Sequence, residues 1–95
     1  MAAEKTFENK IKKFLESQGC YFVKYFGCAF TRSGVPDLLV CANGKFIAIE
    51  VKAENGRLSE LQKYNLEQIK KAGGIALTLK PSQFEEFTKF ITNLF

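Results

Sequence analysis

Gly34-Val35-Pro36-Asp37 stands just ahead of a short apolar run, Asn43-Gly44 follows it, and a second run from Phe46 ends in Glu50-Val51-Lys52. Asp37 is the only aspartate in the chain. Asn43-Gly44 suits a two-residue type I′ turn, and a hairpin folded there sets Asp37, at the start of one strand, near Glu50 and Lys52 on its neighbour. Side chains alternate across a strand, so Glu50 and Lys52 point to one face and Val51 to the other. Two carboxylates and an ammonium then converge, which is the composition of a hard-metal site with an attendant cation. Alone, Glu50-Val51-Lys52 reads as a strand end whose charges reach water; Asp37 and the hairpin reverse that reading.

Composition narrows the chemistry. The chain has no histidine, which excludes Ser-His-Asp and Cys-His nucleophile schemes and histidine-based zinc sites. Acid–base work falls to carboxylates and lysine. Cys20, Cys28 and Cys41 are odd in number, spaced unlike a zinc knuckle and set among apolar residues, so they read as reduced core thiols of an intracellular protein. With no charged leader and no apolar run of membrane-spanning length, the expectation is a cytoplasmic chain that is neither exported nor embedded. At 95 residues and 46% apolar, residues 1–95 are expected to form one packed domain with room for one active centre. The net charge of +4 favours a polyanionic partner, though many soluble domains carry as much.

The elements that must position these residues follow from periodicity. Phe7, Ile11, Phe14 and Leu15 fall at helical spacing between about Thr6 and Gln18, and Gly19 is a natural stop. Cys20 to Phe26 is aromatic and β-branched and predicts a strand, followed by an irregular stretch to Gly34. Asp37 to Ala42 and Lys45 to Lys52 form the hairpin. Ser59 with Gln62 matches a capping box opening a second helix that Gly73-Gly74 closes. Ile75 to Leu79 predicts a further strand, and Ser82 with Glu85 offers a second capping box for a C-terminal helix. In that helix Phe84, Phe87, Phe90, Ile91, Leu94 and Phe95 share an arc of roughly 140°. The predicted order is αβββαβα: an α/β domain with a mixed central sheet flanked by helices.

This order, with Gly-Val-Pro-Asp before the hairpin, Glu-x-Lys after it, and the Ser59–Gln62 and Gly73 positions of the following helix, resembles the VRR-NUC (virus-type replication-repair nuclease) family. That family is a branch of the PD-(D/E)xK restriction-endonuclease-like superfamily, and the resemblance runs from about Glu8 to the final helix. It implies a restriction-endonuclease-like fold and a Mg²⁺- or Mn²⁺-dependent endonuclease that hydrolyses DNA phosphodiester bonds. Asp37 and Glu50 hold the ion in that reading, with the Val51 carbonyl as a further ligand. Lys52 faces the same pocket in an electrostatic role, since acting as a base requires a strongly lowered pKa. Glu8 is the fourth residue implied, as a metal ligand or at the rim of the core, with Glu4 one turn earlier as its competitor. Gln62 matches a position at the pocket and equally serves as the capping partner of Ser59.

Lys24 matches a family position near the pocket, and Arg32 lies in the loop before Asp37; these two are the DNA-contacting cations expected. Lys45, Arg57, Lys63, Lys70 and Lys71 read as solubilising charges. No base-reading motif is present, so selectivity for DNA structure is expected. Compact members of the family resemble Holliday-junction resolvases, and two paired incisions by a one-centre subunit imply a twofold homodimer on branched or four-way DNA. The Phe-rich C-terminal face is either that interface or a face packed on the sheet. The alternatives are a flap or nicking nuclease on branched DNA, and a non-catalytic DNA-binding module.

Overall fold

Phe7, Ile11 and Leu15 line the buried side of the first helix, α1 (Ala2–Ser17), in the computed structural model, which describes residues 2–95. Gly19, at φ +77°, ends it. The chain continues through β1 (Tyr21–Lys24), β2 (Leu38–Ala42), β3 (Lys45–Val51), α2 (Glu60–Lys71), β4 (Ile75–Leu79), a 3₁₀ turn (Pro81–Gln83) and α3 (Phe84–Thr92). This is the αβββαβα order that the periodicity predicts. The sheet runs β1-β2-β3-β4, antiparallel except for the parallel β3/β4 pair. Asn43 and Gly44 both take positive φ, 49° and 82°, as a type I′ turn requires. The Ala42↔Lys45 pair closes the hairpin over that turn.

Alternation divides the sheet into two faces with different coverings. Leu38, Val40, Ala42, Ile47, Ile49, Val51 and Leu79 pack against Phe7, Ile11 and Leu15 of α1 and Phe87 and Ile91 of α3. Phe14 meets Phe84 and Phe87 edge-on, with ring centroids 6.0 Å apart in both pairs, the arrangement that aromatic quadrupoles favour. On the opposite face α2 lies over Ala48, Glu50 and Ala76; there Gln62 reaches Glu50, and Ile69 and Phe46 both close on Gly74. α2 leaves the β1/β2 half uncovered, where Tyr21, Val23 and Cys41 are exposed, and Phe46 at the edge of the covered half is partly exposed as well.

Three sequence expectations change. Cys28 and Cys41 are exposed, so two of the three free thiols are not core residues, while half-buried Cys20 packs against the core as expected; Cys28 lies in the β1–β2 connection and Cys41 on the uncovered half-face. β1 stops at Lys24, short of the predicted Phe26, although the Tyr25 N–H still bonds the Asp37 carbonyl at 2.8 Å. Ser82 does not cap α3: its N–H and hydroxyl both donate to the Glu54 carboxylate, at 2.9 and 2.7 Å. Of the two readings open for the α3 face, packing on the sheet is the one observed, with Phe87 and Ile91 buried and Phe84, Phe90 and Leu94 packed against the core. Among the described residues no helix is long and apolar enough to cross a membrane.

Candidate active site

Leu39 pairs with Ala48 and Leu38 with Ile49; one step further, the register sets Asp37 across from Glu50. Like charges directly opposite on antiparallel strands repel, so this pair needs a reason to persist. On the β3 side Asp37 lies outside the paired backbone register. Instead its Oδ2 accepts the Val51 N–H at 2.8 Å, which fixes the carboxylate against the end of β3.

The segment ahead of Asp37 is shaped to put it there. Pro36 is fully buried, and Gly34 sits at φ +79° with no room for a side chain: an added Cβ would lie 2.7 Å from Leu61 Cγ and 2.9 Å from the Leu61 carbonyl oxygen. Buried Asn65 on α2 donates its Nδ2 to the Ser33 carbonyl at 3.2 Å. The Gly-Val-Pro-Asp turn is thus pinned to the helix that also supplies Gln62. Asn65 was not legible as a site-forming residue; a polar side chain among the apolar positions of a predicted helix was its one signal.

Glu50 is 4% exposed. Burial pushes its carboxyl up to about 8, the Asp37 charge and hydrogen bond add to this, the Lys52 ammonium pulls back, and Glu4 pushes slightly further. Oε2 of Glu50 takes the Gln62 amide at 3.2 Å and faces Lys52 Nζ at 3.7 Å. Gln62 also accepts the Ser59 N–H at 2.9 Å, and Ser59 Oγ accepts the Gln62 N–H at 3.1 Å. One glutamine therefore closes the capping box with one end of its amide and holds Glu50 with the other. The Val51 side chain is wholly buried in the core, so only its backbone is available to the site.

Glu8 and Lys24 arrive from the other face of the sheet. Lys24 Nζ bonds Glu8 Oε1 at 2.7 Å and reaches Asp37 Oδ1 at 3.4 Å, and Glu8 also pairs with Lys12 at 3.2 Å. Burial pulls the Glu8 carboxyl upward, but the hydrogen bonds and charges of Lys24 and Lys12 outweigh it and hold the group below the ordinary glutamate value. For Lys24, burial works downward and is outweighed by Glu8 and Asp37, which raise it. Lys24 is thus a bridge between two carboxylates, where the sequence reading made it a DNA contact. Glu8 joins Asp37 through this ammonium, and among the described residues no three acidic or cysteine side chains come close enough to share an ion. Glu4 lies with Glu8, Lys12 and Lys24 around a neighbouring pocket. Arg32 is exposed and lines, with Tyr25, Asp37, Glu50 and Gln62, a cleft of about 410 Å³.

The donor set suits a hard cation. Two carboxylates stand opposed, and burial together with the Asp37 charge raises the Glu50 carboxyl; a divalent ion held between their oxygens would relieve that repulsion.

The VRR-NUC domain profile matches residues 27–82, a span that contains Asp37, Glu50, Lys52 and Gln62. The chain belongs to the VRR-NUC family. Glu8 and Lys24 lie outside the matched VRR-NUC span. Among solved structures, the chain is similar to the 1.6 Å structure of Archaeoglobus fulgidus Hjc, a Holliday junction resolvase from an archaeal hyperthermophile. The identity is 21% and the TM-score 0.63, over 80% of this chain and 66% of that one, so the two share a fold. No curated protein matches the chain significantly.

Proposed function

We propose that this VRR-NUC chain is a divalent-metal-dependent endonuclease selective for branched DNA, acting in the manner of a Holliday junction resolvase. The observation that carries the reading is the cross-strand opposition of Asp37 and Glu50, with Lys52 and Gln62 both on the Glu50 carboxylate. The shared fold with an archaeal junction resolvase supports the choice of branched DNA.

Asp37, Glu50 and the Val51 carbonyl form an oxygen donor set suited to Mg²⁺ or Mn²⁺. Such an ion, when bound, supplies acidification of water and neutralisation of phosphate charge. The remaining work falls to the chain's own groups. Val51 N–H and Lys24 hold Asp37, and Gln62 orients Glu50. Lys52, with its side chain 15% exposed, is a fixed cation for the charge that grows on the phosphate and leaving oxygen. Glu8 acts through Lys24 as a positioning residue. Arg32 contacts a phosphate next to the scissile one, and Arg57, Lys63 and Lys80 line a separate cleft of about 630 Å³ beside the start of α2 that suits the flanking strand.

Resolving a junction takes two incisions, and each chain carries one centre, so the reading includes a twofold dimer. With α3 committed to the core, the uncovered sheet face of Tyr21, Val23 and Cys41, bordered by Phe46, is the apolar surface open to a second copy.

The test is cleavage of a mobile four-way junction and a linear duplex of matched sequence, with and without Mg²⁺ or Mn²⁺. Paired, ligatable cuts in the junction, lost in Glu50→Gln, support a resolvase. Isolated nicks identify a nicking nuclease, and binding without any cleavage identifies a non-catalytic module.

A further inference from the structure

The connection from Tyr25 to Pro36 carries two phenylalanines that the core does not use. Phe26 is 75% exposed and Phe30 is 97% exposed, the highest value among the large apolar side chains described. An aromatic ring left wholly in water gains nothing for folding, so its place calls for another cause.

The connection is built to hold the backbone beneath that ring in place. Cys28 N–H donates to Thr31 Oγ1 at 2.7 Å and Thr31 N–H to the Cys28 carbonyl at 3.2 Å, closing a tight turn with Ala29 and Phe30 at its apex. The Tyr25 hydroxyl donates to the Arg32 carbonyl and ties the two limbs together. At the base, Tyr25 N–H bonds the Asp37 carbonyl and Asn65 bonds the Ser33 carbonyl. The apex ring is therefore linked through backbone to the residue that opens the site, and Gly27, Cys28 and Arg32 of the same connection line the cleft that holds Asp37 and Glu50. From Cys20 to Pro36 there is no acidic residue, and Lys24 and Arg32 are present.

An exposed ring on a braced turn, in basic surroundings and beside a site for phosphate chemistry, has the properties of a base-stacking platform, because every base has a π-face. Inside a continuous duplex those faces are occupied by neighbouring pairs. Where strands part, a face is open or is uncovered at small cost. We infer that Phe30 stacks on the base face exposed at a DNA branch point and so sets the phosphate that enters the Asp37–Glu50 cleft. The inference rests on the nuclease reading and deepens it: the turn around Phe30 is the element that reads DNA structure. The charge balance of the connection favours a polyanion over a second copy of the chain, whose apolar landing surface lies on the uncovered half of the sheet.

Two measurements on the full chain test this. In the first, wild type, Phe30→Ala and Phe30→Trp cut a branched substrate and a linear duplex of the same sequence under Mg²⁺. Phe30→Ala is expected to lose roughly ten-fold of the branched-over-linear preference while Phe30→Trp keeps it, with thermal unfolding unchanged in both because the ring touches no core. In the second, DNA carrying 5-iodouracil at the branch is irradiated with wild type in a metal-free buffer, and the cross-linked peptide is mapped. A cross-link at Phe30 that the linear duplex does not give supports the inference. A wild-type preference retained by Phe30→Ala, a cross-link confined to residues outside 25–36, or a loss of self-association in Phe30→Ala overturns it. If wild type cuts neither substrate, the nuclease reading fails, and the cross-link still decides the stacking.

Discussion

Asp37 Oδ2 accepts the backbone N–H of Val51 at 2.8 Å, so the carboxylate that opens one strand is fastened to the peptide that follows Glu50 on the next. The hairpin register supplies the proximity; this bond supplies the orientation. Asp37→Asn keeps an acceptor for Val51 and removes the charge. Cleavage is expected to fall by about a hundredfold or more with stability little changed, measured as single-turnover rates beside urea unfolding. Asp37→Ala additionally strands the Val51 N–H and is expected to cost about 1–3 kcal/mol of stability.

The Glu50 carboxyl holds its proton up to about pH 8 in the folded chain, against an ordinary value of 4.5. Between those values the native state binds more protons than the unfolded chain, so the stability of the metal-free protein falls as pH rises through that window. Urea unfolding at about pH 5 and about pH 8 in the presence of a chelator measures the slope. Glu50→Gln, which neither binds nor releases a proton there, is expected to flatten it.

Gly34 and Gly19 have nearly the same backbone conformation, φ +79° and +77°, but only Gly34 is crowded. Alanine at 34 must overlap the Leu61 carbonyl oxygen, and the expected loss is about 2–4 kcal/mol. Alanine at 19 meets nothing within 4 Å and is expected to lose about 1 kcal/mol from the positive φ alone. Denaturant midpoints of the two variants separate the two causes.

Lys24→Met leaves Glu8 with Lys12 as its remaining cation. Burial then meets a weaker attraction, and the Glu8 carboxyl is expected to rise from its lowered position, which carboxyl carbon NMR titration reads directly. Because both side chains keep some contact with water, 23% and 12%, the stability loss is expected to stay near about 1 kcal/mol.

Local chemistry was legible in the sequence where nothing distant competed. Asn43-Gly44 fixes the turn because both residues tolerate positive φ, and the hairpin then delivers Asp37 to Glu50 by register. Ser59 and Gln62 cap α2 because their partners lie three residues apart. Ser82 has the same local pattern with Glu85, yet Glu54, 28 positions earlier, captures both of its donors; no local rule contains that contact. Lys24 was visible as a strand lysine, but its bridge between Glu8 and Asp37 depends on α1 packing across the sheet end. The exposure of Cys41 follows from α2 covering only the β3/β4 half of its face, which periodicity alone does not specify.

In the proposed function Asp37 and Glu50 share one divalent cation. Titrating the chain with Mn²⁺ while following thermal unfolding tests it without requiring a DNA substrate. Saturable stabilisation, about 2.7 kcal/mol at a hundredfold excess over Kd, is expected in wild type and is expected to disappear in both Asp37→Asn and Glu50→Gln. Stabilisation of equal size in wild type and in both variants, or none in wild type, would contradict it.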